Sequence, residues 1–479
     1  MLTVQEMRVL DTNLEYHGVS IESLMERAGE GIAKVLLEQM DAKGRRVLFL
    51  SGTGNNAGDG FVTARILKDK AHVTVALAKP AEATALGPAK VNLGRLPPEV
   101  RLVEPPLDPN ALIGEADVLV DGLMGTGVRG PLREPYRALV EAMNASGKPV
   151  LSIDMPSGLG SDRVVRPRIT AALHDLKEGM DPETSGEVVV VDIGITAEME
   201  RRIGPGELRY YPRPAADAHK GESGRVLVVA GGPFTGAPSL SAMAAYRMGT
   251  DVVHVATPTW SAPIVAAFSP TLIVHPLSDE KLVPEDVPTL LDLAQGMDAV
   301  VIGPGLGREE VTLEAARQFL REVEKPVSVD ADGITAVAGD PACVRGKRGV
   351  ITPHMEEFRR LAGEELAPEE EKRMKQVAAF ARRLGLTVLQ KGPHDIVSDG
   401  QRTKVNIAGN PGMTVGGTGD VLAGLVGSLL GKGVEPFNAA RIAAFANGFA
   451  GDIAFRELSF GMTATDLLDR IPAVLIEFV

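Results

Sequence analysis

Short apolar runs alternate with longer amphipathic ones along most of the chain, and that rhythm predicts the architecture. Two helical segments open it, near 3–17 and 20–40. In the second, Ser20 stands where an N-cap belongs, and Ile21, Leu24, Met25, Ala28, Ile32, Val35 and Leu36 recur at helical spacing. RRVLFLSG (45–52) then leads into a helix near 58–70, and HVTVALA (72–78), DVLVDGLMG (117–125), PVLSIDMPSG (149–158) and EVVVVDIGI (187–195) follow. Runs this short, apolar throughout and bounded by glycine or proline, read as parallel strands buried on both faces. Residues 203–221 interrupt the rhythm with prolines and glycines. The domain boundary is placed there, giving domains 1–212 and 213–479.

The alternation restarts with GRVLVVAGG (224–232), DVVHVATP (251–258), LIVHPL (272–277), DAVVIGPG (298–305), PVSVDADG (326–333), GVITPH (349–354) and LTVLQKG (386–392). DIVSDGQRTKVNIAG (395–409) reads as a hairpin with Asp399-Gly400 in its turn, and helices near 419–432 and 437–455 close the chain. Both halves are expected to be α/β with mostly parallel sheets. Such sheets place ligands beyond the carboxyl ends of their strands.

Composition narrows the chemistry. The chain has 479 residues, 44% of them hydrophobic but only 4% aromatic, so its cores are built of Val, Leu, Ile and Ala. A net charge of −13 argues against a nucleic-acid or anionic-membrane partner. It does not argue against a nucleotide held locally by backbone amides. Cys343 is the single cysteine, so neither an intrachain disulfide nor a thiolate zinc site can form. The start, MLTVQEMRVLDTNLEYHG, lacks a signal-peptide core, and no apolar run approaches the roughly 20 residues of a membrane span. A cytoplasmic protein is expected.

SGTGNNAGDG (51–60) leaves a strand and enters a helix. Its glycines let the backbone approach an anion, and the helix start supplies free N–H groups. The acidic residue of an ordinary dinucleotide fingerprint is missing, since Lys79 and Pro80 stand at the end of the next strand. A plain strand–helix turn with Asx caps is the alternative. Asp121 and Asp154 end two further strands beside glycines. Asn56, Asp121 and Ser157 offer only oxygen donors, which suits potassium or magnesium rather than zinc.

SGTGNNAGDG, VDGLMGTGVRGP and IDMPSGL, in this order and spacing, resemble the NAD(P)H-hydrate epimerase domain over roughly residues 1–210. The resemblance implies a Rossmann-like three-layer sandwich that interconverts the R and S epimers of hydrated nicotinamide dinucleotides at C6. It implies that Asn55, Asn56, Ala57, Gly58 and Asp59 hold the dinucleotide together with Gly125, Thr126, Gly127, Val128, Arg129, Gly130 and Pro131. Asn56, Asp121 and Ser157 would hold potassium, and Asp154 would be the acid/base residue. Ala57 replaces the commoner glycine, LGSDRVV departs from the usual continuation, and ITAALHDLKEGM (169–180) only loosely matches a threonine-rich strand followed by Lys-Pro-Gly.

In the second half, GNPGMTVGGTGD (409–420) enters the helix VLAGLVGSLLGKG. It is not a Walker A loop, because it contains no lysine. Phosphate charge would have to be met by backbone N–H groups, the helix dipole and a metal. On these residues alone Asp420 is equally a helix cap or a base that deprotonates an attacking hydroxyl. With HKGESGRVLVVAGGPFTGAPSLSA, VIGPGLGR, VDADGI, TPHMEEF and QKGPHDIV, this stretch resembles the ADP-dependent NAD(P)H-hydrate dehydratases, a ribokinase-like class, over about 215–479. Those enzymes phosphorylate the 6-hydroxyl of the S-hydrate with ADP, some members with ATP, and phosphate then leaves.

The resemblance implies that Asp420 takes the hydroxyl proton and that Gly416, Gly417, Thr418 and Gly419 form the anion hole. Lys391, Gly392, Pro393, His394 and Asp395 would hold ADP with Asn410, Pro411, Gly412, Met413, Thr414, Val415 and the anion-hole residues. Ala237, Gly305 and His354 would line the hydrate site; core packing, a strand-end turn and a cap are their structural alternatives. Asp330 and Asp332 read as structural or metal-organising. Met355 and Glu356 depart from the family's Thr-Pro-His-Pro-Gly-Glu-Phe. Together the resemblances imply a bifunctional repair enzyme and a homo-oligomer, with NADH and NADPH hydrates and ADP as small-molecule partners and potassium and magnesium as cofactors. The alternative is a ribokinase-type small-molecule kinase with a non-catalytic nucleotide-binding first domain.

Overall fold

The structure, a computed structural model, describes residues 2–125 and 130–479. The chain divides after Glu200 into two units. In the first, seven strands form one parallel sheet: β1 (Arg46–Ser51), β2 (His72–Leu77), β3 (Arg101–Val103), β4 (Val118–Gly122), β5 (Val150–Ile153), β6 (Ile169–Leu173) and β7 (Glu187–Val191), in the order 3-2-1-4-5-6-7. Successive strand residues point to opposite faces. Val47 and Phe49 of β1 therefore pack with Ile32, Leu36 and Phe61, while Leu48 and Leu50 pack with Leu112, Leu139 and Val140. Two cores, one on each face, are why these strands read as apolar throughout. The opening helices run Val4–Tyr16 and Ile21–Gln39, and Ser20 caps the second through the Ser23 N–H.

The second unit carries nine strands: β8 (Arg225–Val229), β9 (Val252–Thr257), β10 (Ile273–Pro276), β11 (Ala299–Ile302), β12 (Val327–Val329), β13 (Gly349–Ile351), β14 (Thr387–Gln390), β15 (Asp395–Ser398) and β16 (Thr403–Asn406), in the order 10-9-8-11-12-13-14-15-16. Pairing is parallel up to β14 and antiparallel from β14 through β16. The expected hairpin is present: the Asp399 carboxylate accepts the N–H groups of Gln401 and Arg402 at 2.9 and 2.7 Å. Helices Thr418–Gly431 and Pro436–Leu458 follow. A further helix, Ala464–Phe478, was not expected from the sequence because Pro472 interrupts its pattern; a Thr463/Asp466 capping box starts it.

Residues 201–211 pack with the second unit, so the division falls earlier than the 212/213 boundary read from the sequence. The Ile203 N–H donates to the Val405 carbonyl at 2.9 Å, and Ile203 and Leu208 enter the core that contains Phe437. Glu207 and Arg441, at most 1% exposed, form an ion pair at 3.0 Å. Anchoring by two apolar side chains and one charge leaves no periodic signature. Among the described residues, no helix is long and apolar enough to cross a membrane.

In each sheet the strand order reverses beside the unit's first strand, between β1 and β4 and between β8 and β11. Such switch points open crevices at the carboxyl ends of the strands.

Candidate active sites

At the first switch point a cavity of about 850 Å³ is lined by Asn55, Asn56, Asp59, Gly125, Pro131 and Asp154, among others. Ala57 and Gly58 turn inward instead: Ala57 is buried in the core, and Gly58 lies against Met25. Thr126, Gly127, Val128 and Arg129 lie outside the described residues. Gly130 is exposed.

Asp121, at the end of β4, is wholly buried and fully hydrogen-bonded. One oxygen accepts from the Leu123 N–H at 3.3 Å and the Ser157 hydroxyl at 2.5 Å. The other accepts from the Ser152 hydroxyl at 2.8 Å and the Ser157 N–H at 2.9 Å. Burial pushes its carboxyl above the ordinary value, and these bonds pull the other way. The Asn56 amide donates to the carbonyls of Met124 at 3.2 Å and Ile153 at 3.0 Å. The Ser157 hydroxyl stands 3.1 Å from the same Met124 carbonyl. The three candidate cation ligands thus converge on the turn after β4. Their hard oxygens fit a loosely held monovalent ion; a divalent ion would need Asp121 to surrender several of its bonds.

Asp154 follows β5 with a φ of 64°, in the left-handed region that non-glycine residues rarely adopt. One carboxylate oxygen accepts the Leu173 N–H at 3.2 Å and an N–H of the Lys177 ammonium. Lys177 has no exposed surface, and it also donates to the Leu173 carbonyl. Sequence reasoning missed this residue. Its only signal was the lysine in HDLKEGM, at the place of the loosely matched Lys-Pro-Gly.

In the second unit, Gly305 has a φ of 67°, and a Cβ there would stand 2.9 Å from the Phe234 carbonyl oxygen and 3.1 Å from the Ala237 methyl. The two predicted hydrate-site residues therefore touch, and only glycine allows it. His354 caps helix Met355–Ala362: its Nδ1 accepts the N–H groups of Glu356 at 3.1 Å and Glu357 at 3.3 Å. The ring proton is thereby assigned to Nε2. Burial, with Lys391 and Arg360 nearby, lowers the His354 pKa, so the ring is neutral at pH 7.

In the glycine loop, the Asn410 side chain accepts the Gly412 N–H at 3.0 Å and donates to Asp452 at 2.9 Å. The Thr418 hydroxyl stands 3.0 Å from the Met413 carbonyl. Gly417, with a φ of 99°, begins helix Thr418–Gly431, and no side chain caps that helix. Asp420 is its third residue, so the cap reading fails for this aspartate. The Ser241 hydroxyl donates to the Asp420 carbonyl at 2.9 Å and fixes the turn.

Lys391, expected among the ADP-holding residues, brings an ammonium to a loop that has no lysine of its own. Its ammonium is 2.7 Å from Asp330, and a Cβ on Gly419 would lie 3.4 Å from it. A lysine distant in sequence thus stands beside Gly419. Asp330 also accepts the Thr352 hydroxyl at 2.8 Å, while Asp332 accepts the Gly307 N–H at 2.9 Å and the Arg308 guanidinium at 2.8 Å. Both aspartates hold loops in place. Burial, reinforced by Asp330 and Asp332 and opposed by Lys391, pushes the Asp420 carboxyl up to about 7. Asp395 accepts the Gly392 N–H at 3.0 Å and the Asn406 amide at 3.1 Å, and burial pushes it up to about 6. His394 is 2.5 Å from Glu370.

Comparison with known proteins identifies a family for each half of the chain. Residues 226–473 match the family described as NAD(P)H-hydrate dehydratase, and residues 21–179 match the family described as YjeF-related protein N-terminus. A bifunctional NAD(P)H-hydrate repair enzyme of Pyrobaculum aerophilum is 41% identical, covering 99% of this chain and 98% of that one. Its namesake in Archaeoglobus fulgidus is 38% identical, covering 99% and 98%. A ribokinase-like superfamily protein of Enterococcus faecalis has the fold of the second unit: TM-score 0.51, 22% identity, covering 58% of this chain and 96% of that one. The chain belongs to the bifunctional NAD(P)H-hydrate repair enzymes.

Proposed function

We propose that the first unit interconverts the R and S epimers of NADH and NADPH hydrates through Asp154, and that the second dehydrates the S epimer with ADP through Asp420. The observation that carries the reading is Asp420 itself. It is a carboxylate that caps nothing, with a pKa pushed to about 7, at the start of a helix beside Lys391. A general base works best when its pKa lies near the working pH.

Asp420 takes the proton of the 6-hydroxyl as its oxygen attacks the terminal phosphorus of ADP, and AMP leaves. The N–H groups at Gly416 to Gly419 and the Lys391 ammonium receive the charge of the transferred group. Loss of phosphate from C6 and of a proton from C5 then restores the dihydropyridine. Asp330 and Asp332 are taken up in loop contacts. Magnesium is therefore assigned as a companion of the ADP phosphates and not as a resident of the protein. In the first unit, Asn56, Asp121 and Ser157 would hold a potassium ion, which would supply positive charge beside the bound dinucleotide.

The test gives the full-length protein an R/S mixture of NADPH hydrate and follows the returning absorbance of the dihydropyridine. With ADP, complete conversion with release of AMP and inorganic phosphate is expected; without ADP, none. A phosphorylated product that accumulates would instead mark a kinase.

A further inference from the structure

Besides Asp154, Asp11 and Asp59 line the cavity of the first unit, and the surroundings of Asp59 differ from those of Asp154. Asp59 lies on helix Asn55–Leu67, lines the cavity and is only 7% exposed. Among the described residues no hydrogen bond reaches its carboxyl; the Thr63 hydroxyl donates to its backbone carbonyl. The charges that act on it are Asp154, Asp11 and Lys177. The one ammonium of this group is bonded to Asp154. Asp11 and Arg133 also line the cavity, but no cation is bonded to Asp59, and a charge on it would be buried beside the Asp154 and Asp11 carboxylates. Burial and the Asp154 and Asp11 carboxylates all push the Asp59 pKa well above the usual range, with only Lys177 opposing.

We propose that Asp59 is the second proton-handling group of the epimerisation: a neutral carboxylic acid that protonates the ring nitrogen while Asp154 takes the proton of the 6-hydroxyl. This rests on the reading of the first unit as the epimerase and assigns Asp59 a chemical role beyond holding the dinucleotide. C6 of the hydrate bears both the hydroxyl and N1, so it is a hemiaminal carbon. Asp154 accepts the hydroxyl proton, and the O–H electron pair becomes the second bond of C6=O. The C6–N1 bond breaks, its electron pair goes to N1, and the Asp59 proton follows it. Rotation about C5–C6 presents the other face of the aldehyde. Reclosure runs the transfers backward: N1 returns its proton to Asp59 as it attacks, and Asp154 returns the other to oxygen. Both carboxyl groups end as they began, and no co-reactant is consumed.

The experiment uses full-length protein without ADP, so that only epimerisation is seen, and follows equilibration of purified S-NADPH hydrate with the R form by chiral separation. Asp59→Asn should lower kcat at least 100-fold with KM changed less than about threefold, and Asp59→Glu should recover part of the loss. The wild-type kcat should also decline on the alkaline side, as Asp59 loses its proton. A loss confined to KM, a kcat within threefold of wild type, or a wild-type profile level to about pH 10 would overturn the assignment. If Asp59→Asn does not fold, the wild-type profile and Asp59→Glu still decide. Failure of the wild-type protein to equilibrate the epimers is a different result: it removes the epimerase reading of the whole unit, and this inference with it.

Discussion

The two units place the same ingredients, aspartates and a sequestered lysine beside a glycine-bearing turn, in opposite arrangements. In the first, Lys177 is bonded to Asp154, the proposed acid/base residue. In the second, Lys391 is bonded to Asp330, a neighbour, and the proposed base Asp420 is left with two flanking carboxylates and a pKa of about 7. The units differ in which carboxylate bonds the ammonium, Asp154 in the first and a neighbour of Asp420 in the second. Epimerisation needs a pair of groups that exchange roles at one carbon. Phosphoryl transfer needs one base that ionises near the working pH, with the cation kept for the phosphate.

The largest effect that tests this contrast is at Asp420. Asp420→Ala should lower ADP-dependent conversion of the S-hydrate by about 10³–10⁴-fold while ADP binding, measured calorimetrically, persists. Near-normal turnover would break the comparison at once. Next, Lys177→Met leaves Asp154, 15% exposed, without its cation, which should cost the first unit about 3 kcal/mol in a denaturant titration. Consumption of the R-hydrate should fall with it.

The pH profile sharpens the contrast further. Conversion of the S-hydrate should rise about tenfold per pH unit and level off near pH 7, where Asp420 is half ionised. Because Lys391 lowers the Asp420 pKa, Lys391→Met should shift that limb to higher pH. Lys177→Met should leave the limb where it is.

The smallest effect is on stability. Asp420 has a folded pKa of about 7 against an ordinary value of 3.8. Its folded state binds the proton more tightly, so the stability this gives is complete below pH 3.8 and lost as pH rises through about 7. Asp420→Asn should therefore raise the Tm at pH 8 by a few degrees, on the order expected for 1–2 kcal/mol, and leave it unchanged at pH 3.5. An equal shift at both pH values would mean that ionisation is not the cause.

The central strands were legible because each feeds two cores, and that demand writes itself as an unbroken apolar run. β3 was hidden because it is a short, largely exposed edge strand, and β6 because ITAAL carries little bulk. The loops of both sites were legible as glycine-rich strand exits. The ion pairs that give those loops their chemistry were not, because they join Asp154 to Lys177 and Asp330 to Lys391 across intervening elements. The histidines teach the same lesson. His254 and His275 lie 21 residues apart, yet the pairing of β9 with β10 brings their ring nitrogens within 3.0 Å.

The segment between the units bears on how the protein can be dissected. A fragment beginning at residue 213 follows the proline-rich break in the sequence, but it would discard Ile203, Leu208 and Glu207. The edge of the nine-stranded sheet would lose its cover at Val405, and Arg441 would remain buried with its carboxylate removed. A fragment beginning at Arg201 keeps those contacts and is the one expected to express as a folded dehydratase.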